Sequence, residues 1–172
     1  MQKVSVQPLS LKSIREIAKG FREMFSLQDV LFFPIVPFIE WCLPELGMDY
    51  EIVPVNEMSN AYGVTHTGRN VMRIREDTYI GAISGNPRDR FTLCHELGHF
   101  LLHTPERVNF ARGDVPAYMD AEWQANTFAA ELMAPYELIR GMTIEEIMEE
   151  CGMSYTAASI QYKNVYRVSS KM

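Results

Sequence analysis

The segment His95-Glu96-Leu97-Gly98-His99 constrains this chain more than any other. It falls in a stretch with a clear helix start, because Asn86 is a good cap, Pro87 suits the first helical position and Asp89 favours the first turn. The spacing predicts a helix to about His103, ending before Pro105. At 3.6 residues per turn, His95 and His99 share one face about one turn apart, a spacing suited to gripping a single metal ion. Glu96 beside them can reach a water held there.

Two imidazoles do not complete a catalytic site, which needs a third protein ligand. His103 lies four beyond His99, but about 12 Å of helical rise separates it from His95, so the two cannot share one ion. It reads as a helix-end histidine or an outer partner. Glu122 is the better ligand, since Asp120 caps a second helix, running to about Met133 and ended by Pro135, on which Glu122 shares a face with Ala125, Asn126 and Ala129. The small alanines allow close helix approach. Glu131 lies about 180° around that helix and faces elsewhere. Cys94 points about 100° away from His95 and reads as a buried thiol.

The rest of the chain fits an α+β fold. Ile14, Ile17, Ala18, Phe21 and Phe25 recur at helical spacing, with Ser10 as cap. Pro37 is placed to open a second helix through Phe38, Ile39, Trp41 and Cys42, limited by Pro44. Four strand-like runs follow, Tyr50 to Val55, Tyr62 to Thr67, Val71 to Arg75 and Thr78 to Ile83, which predict a small antiparallel sheet packed on helices. Pro54 puts the first strand at an edge, or ends it. An irregular connection from Glu106 to Tyr118, with Gly113 and Pro116, joins the two site helices. Thr143 with Glu146 forms a capping box, Gly152 follows the last turn, and Ser154 caps a final helix to about Arg167, giving a C-terminal helical pair. No linker or repeat divides the chain, so residues 1–172 are expected to form one domain: an N-terminal helical segment at 1–47, sheet and metal-site helices at 48–135, and C-terminal helices at 136–172.

Composition narrows the setting. Three cysteines, Cys42, Cys94 and Cys151, form no CxxC pair and no disulfide framework, and Lys3, Lys12, Arg15, Glu16 and Lys19 break any leader-like apolar run near the start. A cytoplasmic, reducing location is expected. The longest apolar run, Val30 to Ile39, is interrupted by Pro34 and Pro37 and is far short of the roughly 20 residues needed to span a bilayer. A net charge of −6 disfavours generic attraction to a phosphate backbone.

Two separated motifs in order, Arg90-Phe91-Thr92-Leu93-Cys94-His95-Glu96-Leu97-Gly98-His99 with Leu102-His103, then Glu122-Trp123-Gln124-Ala125-Asn126 through Pro135, resemble the ImmA/IrrE metallopeptidase family. The resemblance is firm from about Arg90 to Pro135 and weakest over the first forty residues. It implies a zincin-like α+β fold, a zinc ion held by His95, His99 and Glu122, and Glu96 as the catalytic glutamate. It also implies association with phages and mobile elements, and a protein substrate that is a helix-turn-helix repressor or antitoxin. Asn126 lies where gluzincins carry an Asp that orients a ligand histidine, so an amide replaces a carboxylate here.

The chemistry expected of such a site is peptide hydrolysis. Zinc lowers the pKa of water from about 15.7 to about 7, and Glu96 takes the proton. The oxyanion donor is not identified by sequence, and Tyr118, Tyr136, His66 and His103 are the candidates. Two other readings compete. Residues 143–167 outline a helix-turn-helix, but Glu145, Glu146, Glu149 and Glu150 oppose DNA contact. A zinc-containing module that sequesters a regulator without cutting it keeps the metal, yet has no need of Glu96.

Overall fold

The computed structural model describes residues 3–105, 108–111 and 115–169. Strand β1 (Lys3–Val6) leads into helix α1 (Leu11–Met24), where Ser10 Oγ accepts from Ser13 N at 3.0 Å. Ile14, Ala18 and Phe21 bury the helix against the core, while Ile17 stays at the rim, 38% exposed. The next helical segment starts earlier than Pro37. A single turn, α2 (Ile35–Pro37), is followed by a π turn over Phe38–Cys42, and Pro44 opens a 3₁₀ turn (Pro44–Leu46). Gly47 closes it at φ 82°, a left-handed conformation that costs glycine little. Of the aromatic residues there, Phe33 and Phe38 are core, whereas Trp41 is 76% exposed.

Strands β2 (Asp49–Val53), β3 (Gly63–His66) and β4 (Val71–Arg75) form the sheet in the order β2-β4-β3. The expectation of an antiparallel sheet needs correction, because β2 pairs with β4 in parallel and only β3 pairs antiparallel. The reason lies in the strand order: β4, with Met72 and Ile74 at 0% exposure, returns between β2 and β3, so two chain reversals leave β2 and β4 running in the same direction side by side. β2 is an edge strand that ends before Pro54, as a missing ladder donor requires.

The run Thr78 to Ile83 is helix, not strand. Helix α3 (Glu76–Ile83) begins with Glu76 and Asp77 in its first turn, and Asp77 Oδ1 accepts from Thr78 N at 2.9 Å. Two acidic side chains at a helix N-terminus are stabilising, and packing on α4 outweighs the strand propensity of Thr78, Tyr79 and Ile80. Arg75 ties this start to the sheet through Asp77, with Nε–Oδ1 at 2.7 Å.

Helix α4 (Pro87–Leu102) begins as its sequence requires, with Asn86 Oδ1 accepting from Arg88 N and Asp89 N. Strand β5 (Val108–Ala111) then pairs antiparallel with β1, a pairing that sequence patterning missed inside the connection expected to be irregular. Gly113 lies outside the described residues. Helix α5 (Ala121–Met133) is capped by Asp120, whose Oδ1 accepts from Glu122 N at 2.9 Å and Trp123 N at 3.1 Å. After the short α6 (Tyr136–Ile139), α7 (Ile144–Cys151) carries the expected capping box of Thr143 and Glu146, and α8 (Tyr155–Ser169) follows Gly152 and the cap Ser154.

This C-terminal pair packs inward through Ile147, Cys151, Met153, Ala158 and Val165, and Gln161 Nε2 donates to Ala134 O at 2.9 Å. Glu145, Glu146, Glu149 and Glu150 are exposed on its outer side. The expected α+β, zincin-like architecture therefore stands, with a mixed sheet.

The contact that positions the site is between α4 and α5. A Cβ at Gly98 would meet Ala125 Cα, Ala125 O and Phe128 Cδ1, each at 3.2 Å, so the helices touch backbone to backbone there. Gly98→Val is therefore expected to destabilise the fold by about 1–3 kcal/mol through overpacking. Urea unfolding monitored by circular dichroism measures it, and an unchanged midpoint would show that the contact tolerates bulk.

Candidate metal centre

Helix α4 presents Leu93, Cys94 and Leu97 to the core and turns His95 and His99 the other way. Cys94 is fully buried in the core on the other side of the helix and stands outside the converging ligand set, and burial pushes its thiol up to about 12. His95 and His99 meet Glu122 from the first turn of α5. The two Nε2 atoms lie 2.9 Å apart, with Glu122 Oε2 3.3 Å from His95 Nε2 and Oε1 3.2 Å from His99 Nε2. One ligand atom from each of the three falls within 4.8 Å of the others. Bonds of about 2.0–2.1 Å to a tetrahedral ion place ligand atoms about 3.3 Å apart, so this set fits such an ion.

The chemistry of the donors makes the same point. Asn126 Oδ1 lies 2.8 Å from His95 Nδ1. A carbonyl oxygen only accepts, so Nδ1 carries the proton and the His95 Nε2 lone pair faces the gap. A lone pair, a second imidazole and a carboxylate converging at such distances are satisfied by a cation. With no ion between them, the rings would reach Glu122 only as Nε2–H donors, and those donors hold its carboxyl well below the usual carboxylate range; a cation takes the place of the protons and leaves the lone pairs facing it. Burial pulls the His95 pKa down, but the Glu122 hydrogen bond and the charges of Glu96 and Glu122 outweigh it and leave it raised.

Glu96 lines the same cleft of about 420 Å³, together with Gly63, Val64, Thr65, His95, His99 and Glu122. It is 7% exposed and stands outside the converging ligand set. Gly63 makes room for it, since a Cβ there would sit 3.0 Å from Glu96 Cγ. Thr65 Oγ1 donates to Glu96 O at 3.0 Å, tying strand β3 to helix α4.

Glu131 is not brought to the centre. It is 1% exposed on the opposite side of α5, where it forms a salt bridge to Arg15 of α1 at 2.9 Å. Of the four oxyanion candidates, only His103 lines the cleft, and both its ring nitrogens are engaged, by His99 at 2.9 Å and by Gln124 at 3.0 Å. Burial lowers its pKa to about 4. Tyr136 lies under the Arg15 guanidinium, away from the centre. Gln124 is the residue that sequence reasoning passed over. Its one signal was a polar side chain on the buried flank of an alanine-rich helix.

Two helices crossing at a glycine, an HExxH pair on one, a glutamate on the other and an edge strand along the cleft define a metallopeptidase domain of zincin-like type. The chain belongs to the peptidase M78 family: the family model, described as the IrrE N-terminal-like domain, matches residues 46–163, more than half of the chain. That family implies a divalent metal. No curated protein matches the chain. Among the described residues, no helix is long and apolar enough to cross a membrane.

Proposed function

We propose that this chain is a zinc-dependent endopeptidase that cuts one protein partner, a helix-turn-helix repressor or antitoxin of a phage or mobile element, in the cytoplasm. The observation that carries the reading is the convergence of His95 Nε2, His99 Nε2 and the Glu122 carboxylate, with Glu96 beside them but outside the set. Two imidazoles, one carboxylate and an open side suit zinc over harder or softer ions. When bound, zinc would acidify a water molecule and polarise the scissile carbonyl.

The chain's own residues supply the rest. His95, His99 and Glu122 would hold the ion, and Asn126 fixes the His95 ring with its Nε2 towards the gap. Glu96 accepts the proton of the attacking water and passes it to the departing amine. Strand β3 has β4 on one side only, so its other edge offers main-chain groups to an extended substrate segment. On the far side of Asn126, a groove of about 570 Å³ with Phe91, Trp123 and Ile160 in its walls suits an apolar substrate side chain.

The partner class rests on the family resemblance, and charge agrees with it. A net charge of −6 and the exposed glutamates of α7 repel nucleic acid but complement a basic DNA-reading surface. The test is incubation of the zinc-loaded chain with small helix-turn-helix proteins found encoded near it, read by mass spectrometry. Discrete fragments that disappear on chelation support the reading. A partner left whole but released from DNA would favour sequestration instead.

A further inference from the structure

His103 hydrogen-bonds His99 on one ring nitrogen and Gln124 on the other, and the protons along this chain can be assigned from its far end. Gln124 is fully buried, and its Nε2 donates to Gln7 O and Tyr118 O, each at 2.8 Å. Backbone carbonyls only accept, so these two bonds fix which way the amide points. Its Oε1 is thereby presented to His103 Nε2 at 3.0 Å. An amide oxygen also only accepts, so the His103 proton sits on Nε2.

His103 is itself 4% exposed, and a His99 ring that binds an ion through Nε2 keeps its proton on Nδ1, so His103 Nδ1 can only accept from it. Its Nδ1 therefore carries a lone pair. His99 Nδ1, 2.9 Å away, must be the donor, which leaves the His99 Nε2 lone pair facing Glu122 and His95.

We propose that His103 is a positioning residue for the metal centre: clamped by Gln124, it accepts a hydrogen bond from His99 and fixes His99 in its metal-binding tautomer. The relay rests on the reading of His99 as a metal ligand. It runs from two backbone carbonyls, one of them at Gln7, outside the family-matched residues, through Gln124 and His103 to His99. The two ligand histidines are thus oriented by different chemistry, His95 by an amide oxygen and His99 by a neutral imidazole nitrogen.

The test pairs two substitutions with a measurement on the unaltered chain. His103→Phe keeps the ring but removes the acceptor, whereas His103→Asn is smaller but places an amide oxygen near the lost Nδ1. Competition for Zn²⁺ against a chromophoric chelator should show the Phe variant weakened by about 10- to 100-fold and the Asn variant at least about tenfold tighter than Phe. Equal affinities, or Phe tighter than Asn, would overturn the relay and leave a packing role. Nitrogen-15 NMR of the wild-type histidines needs no variant to fold: it should place the His103 proton on Nε2 and the His99 proton on Nδ1. A His103 proton on Nδ1 overturns the proposal. A wild type that takes up no zinc would instead remove the metal centre, and the relay with it.

Discussion

Replacing Glu96 by Gln is expected to leave metal content unchanged and to lower peptide cleavage by about 10²- to 10⁴-fold, the usual contribution of a positioned general base. The two side chains have nearly the same shape, so the snug fit of residue 96 against Gly63 survives. Glu96 is not among the converging ligand atoms, so the ion keeps its three protein donors. Only the capacity to accept a proton from the attacking water is lost. Because the fold and the cleft persist, the variant should hold its partner without cutting it and co-purify with it intact. Cleavage rate and zinc content, measured on the same preparation, check both halves. Wild-type cleavage by the Glu96→Gln chain would remove Glu96 from the chemistry. If neither chain cuts the partner and both relieve its repression, sequestration replaces proteolysis.

Glu122→Ala and Glu131→Ala should separate cleanly, although both remove a glutamate from the same helix. Glu122 is one of the three residues proposed to hold the ion, so its loss should weaken zinc binding by more than the roughly 10- to 100-fold seen when outer partners are lost. Its side chain reaches in from a largely exposed position, and the fold should tolerate its removal. Glu131 is the converse case. Its loss strands the buried guanidinium of Arg15, and breaking a buried pair in this way costs about 3–5 kcal/mol. Zinc titration and urea unfolding of both variants read the two effects. A zinc affinity lowered only in the Glu131 variant would mean that the wrong face of α5 carries the ligand.

Much of the centre was legible because its information is local. His95 and His99 are one turn apart, both helices announce their starts through Asn86 and Asp120, and the half-turn between Glu122 and Glu131 separates the carboxylate that meets the histidines from the one paired with Arg15. The features that escaped are non-local or context-dependent. The four residues Lys3–Val6 carry no sign that they pair with Val108–Ala111, over a hundred positions away. Thr78 to Ile83 has strand-forming residues, and only the acidic first turn and the packing of α3 on α4 decide for helix. The parallel pairing of β2 with β4 follows from β4 returning between β2 and β3, a strand order that periodicity does not reveal. Gln124 acquires its role only when α4 lies against α5 and the backbone of Gln7 arrives from the N-terminal segment.

The most direct test of the metal centre is elemental analysis of the purified chain beside its His95→Ala, His99→Ala double variant. A site with three protein ligands has none to spare. The wild type should carry about one zinc per chain, and the double variant essentially none, with circular dichroism showing that it remains folded. A folded double variant that retained the wild-type zinc content would contradict the assignment of the ion to His95, His99 and Glu122.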